Sequence, residues 1–303
     1  MTLNPTPDIP PEIVNAAQGG DLVVFVGAGI SRLIDCPSWG EFADRVLQQL
    51  TPKGIDYHEL SQIQGILDPK KRLSIAQIIE KKKMTKIDYR SIFYVTRKEP
   101  DVYSYLNSFN SSFVTTNYEK FLSPISRSTQ SEEMWRYYRR DQLLGAYLDN
   151  NGVVMHLHGC IDAPESMIIT TRQYLDHYSS MEVQEFLRYL FKRKTVLFLG
   201  YGLDEIEVLE YILRRGGADQ QKSELTTRYM LQGCFNAEMS LFELLRDYYL
   251  ESFGTQLIGF PKDHKSHAQQ TDILALWAQR LKSQFGALEL ADEAIEIRAE
   301  IRD

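Results

Sequence analysis

Five apolar residues in a row, Leu22 to Val26, stand out from a polar N-terminal stretch. A run of that length without alternation predicts a strand covered on both faces, as in a parallel sheet. Ser112–Thr116, Val153–His158, Thr195–Leu199, Arg228–Leu231 and Gln256–Ile258 predict further strands, with a short one at Met167–Thr170. Between them the apolar positions switch to helical spacing. Pro11 to Ala17 predict a first short helix, closed by Gly19-Gly20. Ser38 with Glu41 makes a capping box ahead of Trp39, Phe42, Ala43, Val46 and Leu50. Val183, Phe186, Leu187 and Leu190 mark another helix, and Asp204 with Glu207 caps one after Gly202. Asn236 to about Ser252, and Ile273, Leu276, Trp277 and Leu281, mark two more. Strands alternating with helices predict an α/β fold, a Rossmann-like doubly wound parallel sheet.

Two stretches depart from that alternation. Residues 56–110 carry helical periodicity at Ile75, Ile78 and Ile79, at Ile87, Ser91 and Tyr94, and around Tyr103 and Leu106, with no strand among them. They predict a helical insertion module that packs over one end of the sheet and helps form a cleft. In residues 286–303, Leu290, Ala294, Ile297 and Ile301 fall at helical spacing. This tail either docks on its own domain, residues 1–285, or pairs with another subunit.

Composition narrows the classes. A chain of 303 residues with 43% hydrophobic content has ample material for a packed core. A net charge of −7 argues against a DNA-coating protein. One basic cluster, Lys70, Lys71, Arg72, Lys81, Lys82, Lys83, Lys86 and Arg90, lies in the insertion. A solvated helical face is the favoured reading of it; nucleic-acid contact stays open but is not favoured. No apolar run reaches the ~20 residues that cross a bilayer, and no charged-then-apolar leader opens the chain, so a cytoplasmic protein is expected. The cysteines, Cys36, Cys160 and Cys234, form no C-x-x-C pair, so a four-cysteine zinc site cannot be built.

The first strand runs straight into Gly27-Ala28-Gly29-Ile30-Ser31. A strand, a glycine turn and a helix bring backbone N–H groups close to a pyrophosphate. The full dinucleotide fingerprint is not met, because Arg32 replaces the third glycine and no acidic residue ends a second strand about 20 residues on. A hydride-transfer enzyme is therefore disfavoured. Gly200-Tyr201-Gly202 repeats the device after another strand, and the two turns are expected to face each other across one cleft. Asn117, just past Thr116 at a strand end, can both donate and accept, and so can hold a ribose hydroxyl or a water; the plain alternative is a turn asparagine. His158 precedes Gly159 at a strand end and suits a general base at neutral pH. His156, two residues earlier, is expected on the same sheet face. It could join a metal set with Cys160 or Asp162, although a hydrogen-bonded core histidine is the commoner outcome.

Taken together, Gly27 to Ser31, Thr115-Thr116-Asn117-Tyr118-Glu119, His156-Leu157-His158-Gly159 and Gly200-Tyr201-Gly202-Leu203-Asp204 resemble the sirtuin-like family of NAD-using proteins. The resemblance runs from about Ile13 to Phe285 and is nearest to the bacterial NAD-hydrolysing branch of antiphage defence. It implies an NAD glycohydrolase that splits the nicotinamide–ribose bond, releasing nicotinamide and ADP-ribose. Asn117 would face the nicotinamide ribose and His158 would be the base. Gly27, Ala28, Gly29, Ile30, Ser31, Thr116, Gly200, Tyr201 and Gly202 would hold NAD. Glu119, standing where the family usually has aspartate, would join them with a contact to the ribose. No zinc is expected, because the zinc module of deacetylase sirtuins is missing. With no sensor domain after residue 285, control through assembly is expected, as a homo-oligomer or with a partner. Related chains resemble subunits that work with a HerA-type hexameric ATPase, or beside a short Argonaute. A non-catalytic NAD or ADP-ribose sensor, and a protein deacylase or ADP-ribosyl transferase, are the alternatives.

Overall fold

The computed structural model describes residues 3–53, 55–124, 135–202 and 228–281. β1 (Leu22–Val26) lies in the middle of a seven-stranded sheet. On one side stand β2 (Ser112–Thr115), β4 (Val154–His156) and β3 (Arg136–Tyr137), in that order outward. On the other stand β5 (Thr195–Leu199), β6 (Arg228–Cys234) and β7 (Thr255–Pro261). Every pairing is parallel, so all the strands end at one edge. The Rossmann-like α/β class expected from the alternation is the one observed.

Both faces of β1 are covered, which is why its sequence is apolar throughout. Leu22, Val24 and Val26 pack with Ile13 and Ala17 of α1 (Pro11–Gly19) and with Trp277. Val23 and Phe25 point the other way, toward Phe186, Leu187 and Leu190 of α9 (Met181–Arg193) and Tyr249 of the Met239–Phe253 helix. Burying side chains of this size stabilises by about 1.5–3 kcal/mol each. α2 (Ala28–Arg32) is a single short turn that leaves β1 directly. α3 (Trp39–Leu50) follows, with the expected capping box: Glu41 N donates to Ser38 Oγ at 3.2 Å, and Ser38 N to Glu41 Oε2 at 2.7 Å.

The insertion is helical, as its periodicity indicates. α4 (Tyr57–Gln64), α5 (Pro69–Lys83) and α6 (Tyr89–Ile92) are each capped by an aspartate, Asp56, Asp68 and Asp88. They build a third core with Phe42, Val46 and Leu50 of α3, and cover Tyr118, Met167 and Ile169 at the C-terminal edge of the sheet. α7 (Val102–Leu106) belongs elsewhere: Val102, Tyr103 and Leu106 pack in the core beneath β1. In the basic cluster, Lys81, Lys82 and Lys83 are exposed, whereas Arg72 is buried against Asp44 at 2.5 Å.

Two features differ from the sequence reading. Met167–Thr170 is extended but joins no strand. Its apolar side chains fill the insertion core, while its backbone is tied to His158 O (from Ile168 N, 2.9 Å) and Ile168 O accepts from the Tyr118 hydroxyl (2.7 Å). β3 was not expected; two residues give no pattern to read. The helix expected from Asp204 and the tail 286–303 lie outside the described residues.

Candidate active site

The two glycine turns leave neighbouring strands, and this decides their geometry. Gly27 N donates to Leu199 O and Gly29 N to Gly200 O, both at 2.9 Å. Gly200 has φ +66, and a Cβ there would sit 2.5 Å from Ile30 N. The turns therefore abut as one ridge; they do not face each other across a cleft, because β1 and β5 are adjacent. Tyr201 covers Gly27 edge-on, packs against Phe25 and Phe198, and bonds its hydroxyl to Thr116 Oγ1 at 3.0 Å. Ile30 is fully buried, Ala28 and Gly29 are half-buried, and Gly202 is exposed.

Asn117 is built into the first turn. Its side-chain nitrogen donates to Gly27 O at 3.1 Å and to Ser31 Oγ at 2.6 Å. Its backbone N–H is held by Thr115 Oγ1 at 3.0 Å, and Thr115 in turn bonds Val26 O at 2.8 Å. Beneath it, Glu119 Oε1 accepts from Ser31 Oγ at 2.8 Å and from the Tyr103 hydroxyl at 2.5 Å. Burial raises the Glu119 carboxyl above its ordinary range, and the hydroxyl donors oppose that shift. One oxygen of the Glu119 carboxylate thus serves the core, where the resemblance implies a ribose contact.

Ala28, Ser31, Cys36, Thr116, Asn117 and Glu119 line one side of a cleft open to solvent. Trp39, Phe42, Phe93 and Tyr118 form the other, with ring centroids 5.0–6.1 Å apart. A polar floor and an aromatic wall at the strand C-termini suit a flat, partly polar ligand such as a nucleotide. Cys36 is no nucleophile here: burial and the Glu119 charge push its thiol up to about 12.

The two histidines part company. β4 ends at His156 and the chain turns at once, so His158 does not continue the strand alternation. His156 Nδ1 donates to Asn117 O at 3.0 Å, and Nε2 accepts from Arg136 at 2.9 Å. With both nitrogens in use it is the bonded core histidine, and burial with the Arg136 charge lowers it to about 3. His158 instead meets α8 (Thr171–Tyr178): Nε2 bonds the Tyr178 hydroxyl at 2.8 Å, while the rings of Tyr174 and His177 lie 5.3 and 5.9 Å away. Its Nδ1 is buried without a partner. Burial, then His177 and Lys70, hold His158 well below its ordinary value, so it is neutral at pH 7. It is absent from the cleft lining, so Asn117 and His158 sit at the same sheet edge but in different surroundings. No group of three or more metal-ligating side chains occurs among the described residues.

Tyr103, Tyr178 and the aromatic wall were not singled out from the sequence. Trp39 and Phe42 read as the core face of α3, and nothing local ties Tyr103 to Ser31, 72 positions away.

This is a doubly wound, Rossmann-like fold with a polar network under its first glycine turn. A SIR2-like domain family matches residues 111–258, which include Asn117, His158 and Gly200 but not the Gly27 turn. The chain is also 23% identical over 212 residues to Defense-associated sirtuin 2 of Bacillus subtilis, covering 65% of this chain and 19% of that protein. It therefore spans about a fifth of that relative's length. These matches agree with the sirtuin-like resemblance, and over residues 111–258 the chain is similar to a SIR2-like domain.

Proposed function

We propose that the protein is an NAD glycohydrolase that cleaves the nicotinamide–ribose bond, giving nicotinamide and ADP-ribose. The observation that carries this reading is the Asn117 carboxamide, locked to Gly27 O and Ser31 Oγ at the floor of an aromatic-walled cleft. Bond cleavage develops positive charge on the ribose, as in glycoside hydrolysis. Asn117 would fix a ribose hydroxyl or the attacking water, and the aromatic wall would take a flat ring. His158, neutral at pH 7, would accept a proton at Nδ1, the ring nitrogen without a partner.

The likeness to a defence-associated sirtuin supports a defence role, which in this reading is NAD depletion against phage. His158 lies against Tyr178 and outside the cleft lining, so turnover in this reading requires α8 to shift. That fits an enzyme silent until it assembles, with itself or with a partner such as a HerA-type ATPase. The same observation favours one rival, a protein that binds NAD without turning it over.

The test is incubation of the purified protein with NAD, following nicotinamide and ADP-ribose by chromatography, beside Asn117→Ala and His158→Ala. Turnover lost in both variants supports the hydrolase. Binding without turnover, alone and after assembly, supports the sensor. Turnover surviving in both variants refutes the assignment of these residues.

A further inference from the structure

The buried oxygens under the cleft can be assigned their protons. Glu119 Oε1 lies 2.5 Å from the Tyr103 hydroxyl and 2.8 Å from Ser31 Oγ, and these two hydroxyls are 3.1 Å apart. Each hydroxyl has one proton, and an ionised carboxylate can only accept. While Glu119 is ionised, both protons go to it, and the Ser31 oxygen is left as an acceptor. It is filled by Asn117 Nδ2 at 2.6 Å. Gly27 O, a carbonyl, also accepts from Asn117 Nδ2, at 3.1 Å. The amide nitrogen also faces the Glu119 carboxylate, so all of its protein neighbours are acceptors, and the atom that Asn117 can offer a ligand is Oδ1.

We propose that Tyr103 is a positioning residue for Asn117: by donating to Glu119 beside Ser31, it keeps Ser31 an acceptor and commits Asn117 to meet the substrate as a hydrogen-bond acceptor. The substrate group so recognised is a donor, a ribose hydroxyl or a water. This rests on the NAD reading of the cleft and adds to it a residue from α7.

The groups facing the Glu119 carboxylate are the side chains of Tyr103, Ser31 and Asn117, with the Cys36 thiol nearby, and no cation pairs with it among the described residues. Removing the Tyr103 hydroxyl leaves the buried carboxylate one donor poorer and easier to protonate. Once protonated, Glu119 donates to Ser31, and the Ser31 proton turns toward Asn117. That proton collides with the amide hydrogens, and the Asn117 orientation is lost.

The experiment measures NAD affinity by calorimetry from pH 5 to 8 for wild type, Tyr103→Phe, Glu119→Gln and Asn117→Ala. The ring of Tyr103 is fully buried, and phenylalanine preserves its packing. Tyr103→Phe is expected to bind roughly tenfold more weakly at pH 7, the worth of one good hydrogen bond, and to lose binding on acidification at a higher pH than wild type. Glu119→Gln is expected to bind weakly with no acid limb. Weakening of Tyr103→Phe by the same factor at every pH would mean that the hydroxyl does not act through the protonation of Glu119 and would overturn the proposal, as would a wild-type curve. A wild type that binds no NAD would remove the NAD reading itself, and the proposal with it. Should Tyr103→Phe not fold, Ser31→Ala carries the same test, and unchanged affinity there would overturn it.

Discussion

Gly200 and Gly254 offer a matched pair of perturbations. Both hold left-handed backbone, φ +66 and φ +60. Around Gly254, the C-cap of the Met239–Phe253 helix, an added Cβ would meet nothing within 4 Å. At Gly200 it would meet Ile30 N at 2.5 Å and Gly29 C at 3.0 Å, backbone atoms that no rotamer change can move. Gly254→Ala therefore carries only the left-handed penalty, about 1–2 kcal/mol. Gly200→Ala carries that plus an overpacking cost of about 1–3 kcal/mol, so about 2–5 kcal/mol in all. For a chain of this size the melting point falls by about 2 °C per kcal/mol, giving a drop of about 4–10 °C for Gly200→Ala and 2–4 °C for Gly254→Ala. Urea unfolding at pH 7 gives the two free energies, and NAD calorimetry should show loss of affinity for Gly200→Ala alone. Two variants equal within about 0.5 kcal/mol, the usual scatter of independent sites, would refute the claim that the glycine turns are in backbone contact.

Three further outcomes are expected. His177 is buried with neither ring nitrogen bonded, and burial and the Arg140 charge lower it to about 4. A folded value below the unfolded one means that its contribution is present above about pH 6.5 and is lost as pH falls toward 4. His177→Leu should thus flatten the stability curve between pH 6.5 and 4, with a change at pH 7 within about 1.5 kcal/mol; an unaltered acid slope in urea titrations would count against this. Asn117→Asp places a carboxylate against Gly27 O and the Glu119 network, where its folded pKa must rise. The variant should lose more than about 2 kcal/mol at pH 7 and recover part of it on acidification, measured in the same way. Ser38→Ala removes the acceptor of the Glu41 N–H and should cost about 1 kcal/mol by thermal denaturation.

What the sequence discloses here is local. The apolar run of β1, the Ser38–Glu41 box and the Gly20 stop of α1 each depend on residues within a few positions, and each is where it was expected. The order of strands is not local: with β5 beside β1, the two glycine turns had to touch, and no spacing along the chain carries that neighbourhood. Met167 and Ile169 are apolar for the sake of the insertion core, so the run mimics a strand without having a partner strand. His158 misleads in a related way, because alternation holds only while the strand lasts, and β4 stops at His156. Asn117 was legible from its place at a strand end, whereas its dependence on Tyr103 and Glu119 emerges only when distant segments meet.

The division of the helical stretch between two cores has a practical reach. Residues 57 to 93 lean on α3 and on the rim of the sheet, while Val102 through Phe109 are structural members of the sheet's own interior. A grafting experiment that swaps this stretch between relatives should therefore place its downstream junction ahead of Asp101, whose side chain caps α7 and pairs with Arg97. A chimera joined there keeps its foundation and exchanges only its roof. One joined beyond Phe109 imports a stranger's tyrosine, or none, directly beneath Ser31.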